Sequence, residues 1–332
     1  MAEGGDDLLP GIVSLMRAHE AAVLGHTNTS VVEAESEVRA PEVDRERSVV
    51  AVDDGRVVGL RLVMVDLPER DVLLDCWTHP QLDERDQRGL MARLVTEAWP
   101  TARSLARVAE AQWPPPEADP WQASPATWQL AGGAYRQDEV WAEALASLGL
   151  RQVRTFQRMS LVHGTEVPLP PAPDGVTARQ IADEDDLRVA HRIHQQAFAD
   201  HWGGEPERTF ADWLTDQRAQ PGFDPALWSI AELRGTAVGL CVGSDARREL
   251  GVAYVPLLGV VREARGRGIA RYLLRREFHR SALRGYGETQ LTVDSESLTG
   301  ADRLYRSVGM APTVTIDAWL APITGAGPPE CE

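Results

Sequence analysis

Arg265-Gly266-Arg267-Gly268-Ile269-Ala270 follows an apolar, strand-like run, Ala253-Tyr254-Val255-Pro256-Leu257-Leu258-Gly259-Val260-Val261. After it comes Arg271 to Arg284, where Ala270, Leu274, Phe278 and Ser281 recur at helical spacing. The order is strand, glycine-rich turn, helix. In such a turn successive backbone N–H groups converge on an anion at the helix N-terminus, where the macrodipole also favours negative charge. Side chains at Gly266 and Gly268 would block the approach of phosphate oxygens to those amides.

Downstream, Gln290-Leu291-Thr292-Val293 reads as a strand leading through Asp294 to Ala301 into a short helix, Asp302 to Val308. That helix carries Tyr305 four residues before Gly309, and Thr313-Val314-Thr315-Ile316 reads as a last strand. The two motifs, so spaced, resemble the GNAT superfamily of acyl-CoA-dependent N-acyltransferases over residues 176 to about 320. The resemblance implies that acetyl-CoA, or another acyl-CoA, is the co-substrate. Its pyrophosphate would rest on the amides of Gly266, Arg267, Gly268, Ile269 and Ala270, with Arg265 and Arg267 adding charge. A backbone N–H near Val260 or Val261 would polarise the thioester carbonyl, and Ser297 stands where relatives usually carry Asn. Tyr305 would sit beside the thioester sulfur and protonate the leaving thiolate. A phenol with a pKa of ~10 keeps its proton at neutral pH, which suits that role.

The chain repeats itself. Val50 to Leu60 lines up with Ile230 to Leu240 at a constant offset of 180 residues, each reading as strand, hairpin turn, strand. Val72 to His79 followed by Arg88-Gly89 mirrors the strand and turn before Gly268, and Ala144 to Leu150 mirrors Leu304 to Met310. A period this long marks domain duplication, not a repeat array. Aligning Gly89 with Gly268 puts Asp86 in place of Arg265 and Met91 in place of Ala270, while Leu145 replaces Tyr305. The first half also carries an insertion between Trp113 and Tyr135. A degenerate first half joined to an active second half is similar to the mycothiol synthase family and its relatives. The expected architecture is α/β (α+β): two tandem GNAT-like domains, each a twisted, mostly antiparallel sheet flanked by helices. Residues 1–163 form the degenerate domain, 164–175 a proline-rich linker, 176–325 the catalytic domain and 326–332 a tail.

Composition narrows the function. A net charge of −16 argues against nucleic acid, and no apolar run approaches the ~18 residues of a membrane span. All 34 basic residues are arginine. Glu3, Asp6 and Asp7 open the chain without a signal-peptide core, so a cytoplasmic protein is expected. Cys76, Cys241 and Cys331 are too scattered for a disulfide framework or a zinc site. His191 and His194 lack a third ligand at suitable spacing, so no metal is expected.

The expected acceptor is a small-molecule or peptide amine. Helices from Leu187 to Leu214 would line its pocket with His201 and Trp202 at the mouth, and the aromatic residues there serve equally well to pack one helix on another. Mycothiol synthases carry a Glu where this chain has Tyr254. Glu249, Asp294, His201 or a water chain are left as candidates to take the amine proton. A non-catalytic acyl-CoA sensor or scaffold is the alternative, and oligomeric state is not legible.

Overall fold

The computed structural model describes residues 5–112, 127–199, 208–296 and 300–323. The chain divides into two compact units, Met1–Phe156 with Val314–Glu332, and Gln157–Thr313. Among the described residues no helix is long and apolar enough to cross a membrane.

The first unit opens with helices α1 (Gly5–Leu24) and α2 (Val31–Arg39), then strands β1 (Val49–Asp53), β2 (Arg56–Asp66) and β3 (Asp71–Thr78). Helices α3 (Glu84–Val95) and α4 (Ala98–Gln112) follow, then β4 (Gln129–Tyr135), α5 (Glu139–Ser147) and the start of β5 (Arg151–Val162). The second unit holds β6 (Val176–Gln180), α6 (Glu184–Phe198), α7 (Phe210–Ala219), β7 (Ser229–Leu233), β8 (Thr236–Ser244) and β9 (Val252–Val260). It continues with α8 (Ile269–Leu283), β10 (Glu288–Asp294), α9 (Ala301–Ser307) and the first residues of β11 (Ala311–Pro322). Its strands lie in the order β6-β7-β8-β9-β10, with the end of β5 beyond β10.

The duplication is visible down to single residues. Asp54 and Gly55 turn the β1–β2 hairpin with φ of 45° and 76°, and Arg234 and Gly235 turn β7–β8 with 52° and 82°. Two successive positive φ values make the tight turn whose twist suits a hairpin. Each hairpin then slips register at the same place, Ala51/Val52 and Ala231/Glu232. Among the described residues each unit also shows a short parallel pair. β3 pairs with β4 from Asp71↔Gln129 to Leu73↔Ala131, and β9 with β10 from Glu288↔Val252 to Gln290↔Tyr254. Beyond those residues the pairing stops and the strands part.

The boundaries differ from the sequence expectation. From Val314 onward β11 belongs to the first unit, because it pairs antiparallel with β4 from Ile316↔Tyr135 to Pro322↔Gln129. Residues 157–163 belong to the second unit, where the His163 amide bonds the Gly287 carbonyl. The stretch 164–175 is irregular, as its prolines require, but it follows α8 closely: the Val167 carbonyl meets His279 Nδ1 at 2.6 Å. Separate apolar clusters fill the units, one around Leu240, Leu274 and Leu291, another around Leu74, Leu130 and Leu145. Cys76 and Cys241 are buried small hydrophobes within them. Trp128 is buried with Arg70 over its ring, anchoring the end of the insertion, while Trp113 and Trp121 lie outside the described residues.

Candidate functional site

β9 ends in a single 3-10 turn, Arg262–Ala264, and the chain then passes through Gly266 (φ 76°) and Gly268 (φ 78°), the residue capping α8. A residue with a Cβ loses ~1–2 kcal/mol in this left-handed region, so the turn depends on both glycines. No side chain caps α8, and its first turn has no acidic residue. The first amides of a helix have no intrahelical partner, so here they remain for an outside acceptor. There is room for one. No described atom lies within 4 Å of where a Gly266 Cβ would stand, and at Gly268 only Pro173 Cγ does, at 3.8 Å. The helix itself is held rigidly: Ile269, Leu273, Leu274 and Phe278 are buried, and Arg276 and Arg280 donate to Ser229 Oγ at 2.7 and 3.0 Å.

Arg265 does more than add charge. Its Nε donates to the Val260 carbonyl (3.0 Å) and its Nη2 to the Ala197 carbonyl (2.8 Å), bracing the turn against the end of α6. Close approach of α6 needs Gly259, where a Cβ would fall 2.8 Å from Phe198 Cε2. Arg267 is exposed and projects no comparable brace.

The Val261 amide is unavailable for a thioester carbonyl, because it donates to Val238 at 2.9 Å. In an antiparallel pair, amides alternate between facing the partner and facing away. With Val261 bonded to β8, the amides of Val260 and Leu258 face the other way, toward the gap that opens between β9 and β10. The Val260 and Leu258 amides are thus not taken up by β8, unlike that of Val261. Only the strand register reveals this alternation.

At the start of the gap, Tyr254 Oη donates to Thr292 Oγ1 at 3.0 Å. Arg247 lies over the Tyr254 ring at 4.3 Å and bonds Gln290 Oε1, while Arg158 stands 6.0 Å from the same ring. Tyr305, on α9, is buried, and its pKa is pushed up to about 12, first by burial and then by the nearby Cys241 thiol and Tyr254 phenol. The structure thus puts both tyrosines near one another and keeps Tyr305 protonated.

The acceptor-side expectations divide. His194 Nδ1 accepts from Trp213 Nε1 at 2.8 Å, and Trp213 packs edge-on against Trp228, so these aromatics hold α6 and α7 to the core. His191 Nε2 is engaged with the Arg208 carbonyl. Among the described residues no group of three His, Cys, Asp or Glu is placed to hold a metal ion. Asp294 ends β10 and caps a local turn at the Glu296 amide. Glu249 is exposed ahead of β9, at the far end of that strand from the glycine turn. His201, Trp202 and Ser297 lie outside the described residues.

In the first unit the matching register needs correction. Gly89 lies inside α3, and the N-cap that corresponds to Gly268 is Asp83. Its carboxylate accepts from the Asp86 amide at 2.8 Å, so the first turn is already capped and carries Glu84 and Asp86 besides. Asp86 and Met91 are helix residues, with Met91 buried, and do not flank an open turn. Leu145 keeps the expected correspondence to Tyr305. Each residue's carbonyl takes the amide five residues on, Leu150 and Met310, around the left-handed Gly149 and Gly309. Leu145 Cδ2 fills the space beside Gly132, where β3 and β4 part.

In each unit two strands part after a short parallel pairing, and in the second unit the parting strands lie beside an uncapped glycine turn. Residues 187–310, all within the second unit, match the Acetyltransferase (GNAT) family. The chain is 34% identical over 177 residues to the mycothiol acetyltransferase of Thermobispora bispora, covering 51% of this chain and 57% of that protein. It is 35% identical over 173 residues to the one from Thermomonospora curvata, covering 51% and 56%. The matched stretch thus spans little more than half the length of these relatives. Over nearly the whole chain it is similar to the GCN5-related N-acetyltransferase from Sphaerobacter thermophilus, with 25% identity, 96% and 94% coverage and a TM-score of 0.75. A tandem GNAT protein from the clavulanic acid biosynthesis pathway shares the fold at 16% identity, 98% coverage of both chains and a TM-score of 0.70.

Proposed function

We propose that the second unit is an acyl-CoA-dependent N-acyltransferase, most simply an acetyltransferase, acting on a small amine by direct attack in a ternary complex. The observation that carries this is the uncapped α8 N-terminus, with two left-handed glycines and open space above Gly266. Diphosphate chemistry fits it: amides from Gly266 to Ala270 supply donors, and Arg265 and Arg267 supply charge without closing the space. When bound, an acyl-CoA supplies an activated acyl carbon. Amides at Val260 and Leu258 suit a polarising role, worth a few kcal/mol where donors are preorganised. The amine nitrogen forms a bond to the acyl carbon as the carbon–sulfur bond breaks. Tyr305 gives its proton to the departing sulfur, and the proton shed by nitrogen passes to Asp294 or to water. Tyr254, with Thr292, borders the acceptor side, together with His201 and Trp202 as the sequence suggests, and Ser297 adds a polar contact to the co-substrate.

The names of the relatives put a mycothiol-type amine at the head of the acceptors to try. The experiment is to incubate the full chain with acetyl-CoA and a set of small amines, following thiol release and the mass of the acylated product. Thiol release dependent on one amine class supports transfer. The absence of a carboxylate at Tyr254 favours a second reading, a non-catalytic acyl-CoA sensor. That reading predicts acyl-CoA binding with no turnover on any amine, whether small-molecule or peptide.

A further inference from the structure

Residues 164–175 leave β5 and reach β6 by way of α8, and two contacts fix their course. The Val167 carbonyl meets His279 Nδ1 at 2.6 Å, past the middle of the helix. Six residues later, Pro173 Cγ stands 3.8 Å from where a Gly268 Cβ would be, at the helix cap. Six steps of an extended, proline-rich chain reach about 19 Å at ~3.1 Å each. The eleven helical steps from Gly268 to His279 cover about 16 Å at ~1.5 Å each. Those lengths match when the segment runs nearly straight and antiparallel to α8. Pro168, Pro170, Pro171 and Pro173, each with φ fixed by its ring, favour that course.

The segment is held in place and is not a loose tether. Val167 packs against the apolar cluster that contains Leu274 and Phe278, and Pro170 is buried. The Pro173 carbonyl accepts from the Val176 amide at 2.9 Å, and the Gly175 carbonyl from the Arg234 amide at 2.8 Å. Leu169, Pro171 and Ala172 nevertheless stay exposed and Pro173 half-buried, which leaves apolar surface uncovered beside the helix cap.

The side from which this strap arrives has a consequence. In the order β6-β7-β8-β9-β10, β6 lies at the far edge from β10. Pro173 is tied to the first residue of β6, so it meets the cap from the β6 side, while β9 and β10 part on the other. With diphosphate oxygens on the α8 amides and the acyl end used where β9 and β10 part, the other end of the co-substrate would leave toward the strap. Asp174 is exposed next to Pro173, and its charge would repel a further phosphate. The group that suits this surface is the flat, uncharged adenine ring, whose contact with proline removes apolar area from water.

We propose that the strap from Val167 to Asp174 is a wall of the co-substrate site, with Pro173 seated against the nucleoside end of acyl-CoA and adding affinity but no chemistry. The proposal rests on the acyl-CoA reading of α8. It gives the stretch between the duplicated halves a part in binding, beyond joining them.

The test compares CoA with 4′-phosphopantetheine, which keeps the arm and one phosphate but has no nucleoside, on the full chain. Hydrogen exchange read by mass spectrometry follows the strap, through the amides of Leu169, Ala172 and Asp174, and the first turn of α8. The expected result is that CoA slows exchange in both, whereas phosphopantetheine slows it in α8 alone. By calorimetry, Pro173→Ala should weaken CoA about fivefold and leave phosphopantetheine within about twofold, since part of an apolar contact is lost. Protection of α8 without the strap, or an equal loss for both ligands, overturns the proposal and leaves the acyl-CoA reading standing. Absence of CoA binding, or of protection at α8, overturns both. Should Pro173→Ala fail to fold, the exchange pattern of the unaltered chain decides.

Discussion

Helices α3 and α8 each follow the third strand of a duplicated hairpin unit, yet their N-termini are built for opposite purposes. Five residues separate β3 from α3, the last being Asp83, whose side chain already occupies a first-turn amide, with Glu84 and Asp86 in that turn. Eight residues separate β9 from α8, the last being Gly268, with no side-chain cap and no acid in the first turn. The first arrangement stabilises a helix end; the second leaves donors and positive potential for something else. The same division recurs deeper in each unit, where Leu145 fills the space beside Gly132 in one and the buried Tyr305 stands at the matching helix position in the other. Duplication preserved the scaffold while the chemistry of the turn and of one side chain separated the halves.

Replacing Tyr305 tests that separation most severely. Tyr305→Phe should lower kcat by about 10²–10⁴, the usual range for a lost general acid, with acyl-CoA affinity little changed. Because the phenol pKa is raised to about 12, Tyr305 keeps its proton as pH rises, so in the wild type it should impose no alkaline loss of rate below pH 10. A loss under about threefold would make Tyr305 a packing residue. Activity persisting when Gly268→Asp is added would place turnover in the first half.

Gly268→Asp alone should weaken acyl-CoA binding by about a hundredfold, ~2.7 kcal/mol, since it puts an anion at the cap and strain in a left-handed residue. Calorimetry on protein shown to be folded by circular dichroism decides it, and unchanged affinity would remove the cradle from α8.

Glu37→Gln bears on the first unit. Glu37 has a folded pKa above the ordinary 4.5, so the folded state holds a proton that the unfolded state has released between those values. Stability from this group is thus intact below about pH 4.5 and declines as pH rises through about 8. The substitution should stabilise the free protein at pH 9 by about 2 kcal/mol and do little at pH 4, read from denaturant midpoints. A pH-independent effect would mean that Glu37 is not held protonated.

The smallest effect belongs to Asp83→Ala. Loss of the cap should cost about 1 kcal/mol in thermal unfolding, without creating affinity for acyl-CoA. New binding of acyl-CoA would show that the cap, and not the shorter loop, separates α3 from α8.

Most of the second unit was legible in the chain because its signals are local. Glycines two residues apart before a helical period specify a left-handed turn, and the helical spacing of Leu274, Phe278 and Ser281 names the buried face found in α8. The first-unit turn was misaligned by the same reasoning, since Gly89 invited comparison with Gly268 while the helix starts at the Asp83 cap. An acidic cap is a local signal too, and Asp83 provides it without any glycine.

By itself the sequence determined the duplicated hairpins, the glycine turn and the substitution of Leu145 for Tyr305, because turn geometry and side-chain period depend on residues a few positions apart. Only the tertiary structure decided the rest. Val314 onward joined the first unit because β4 offered a free edge, and Val261 lost its amide to Val238 through strand register. Arg265 became a brace because Ala197, 68 residues away, presented an unused carbonyl. Glu37 and Asp75 came to line one cavity because α1 packs on both α2 and β3, a meeting of residues whose partners are chosen by burial and not by spacing along the chain.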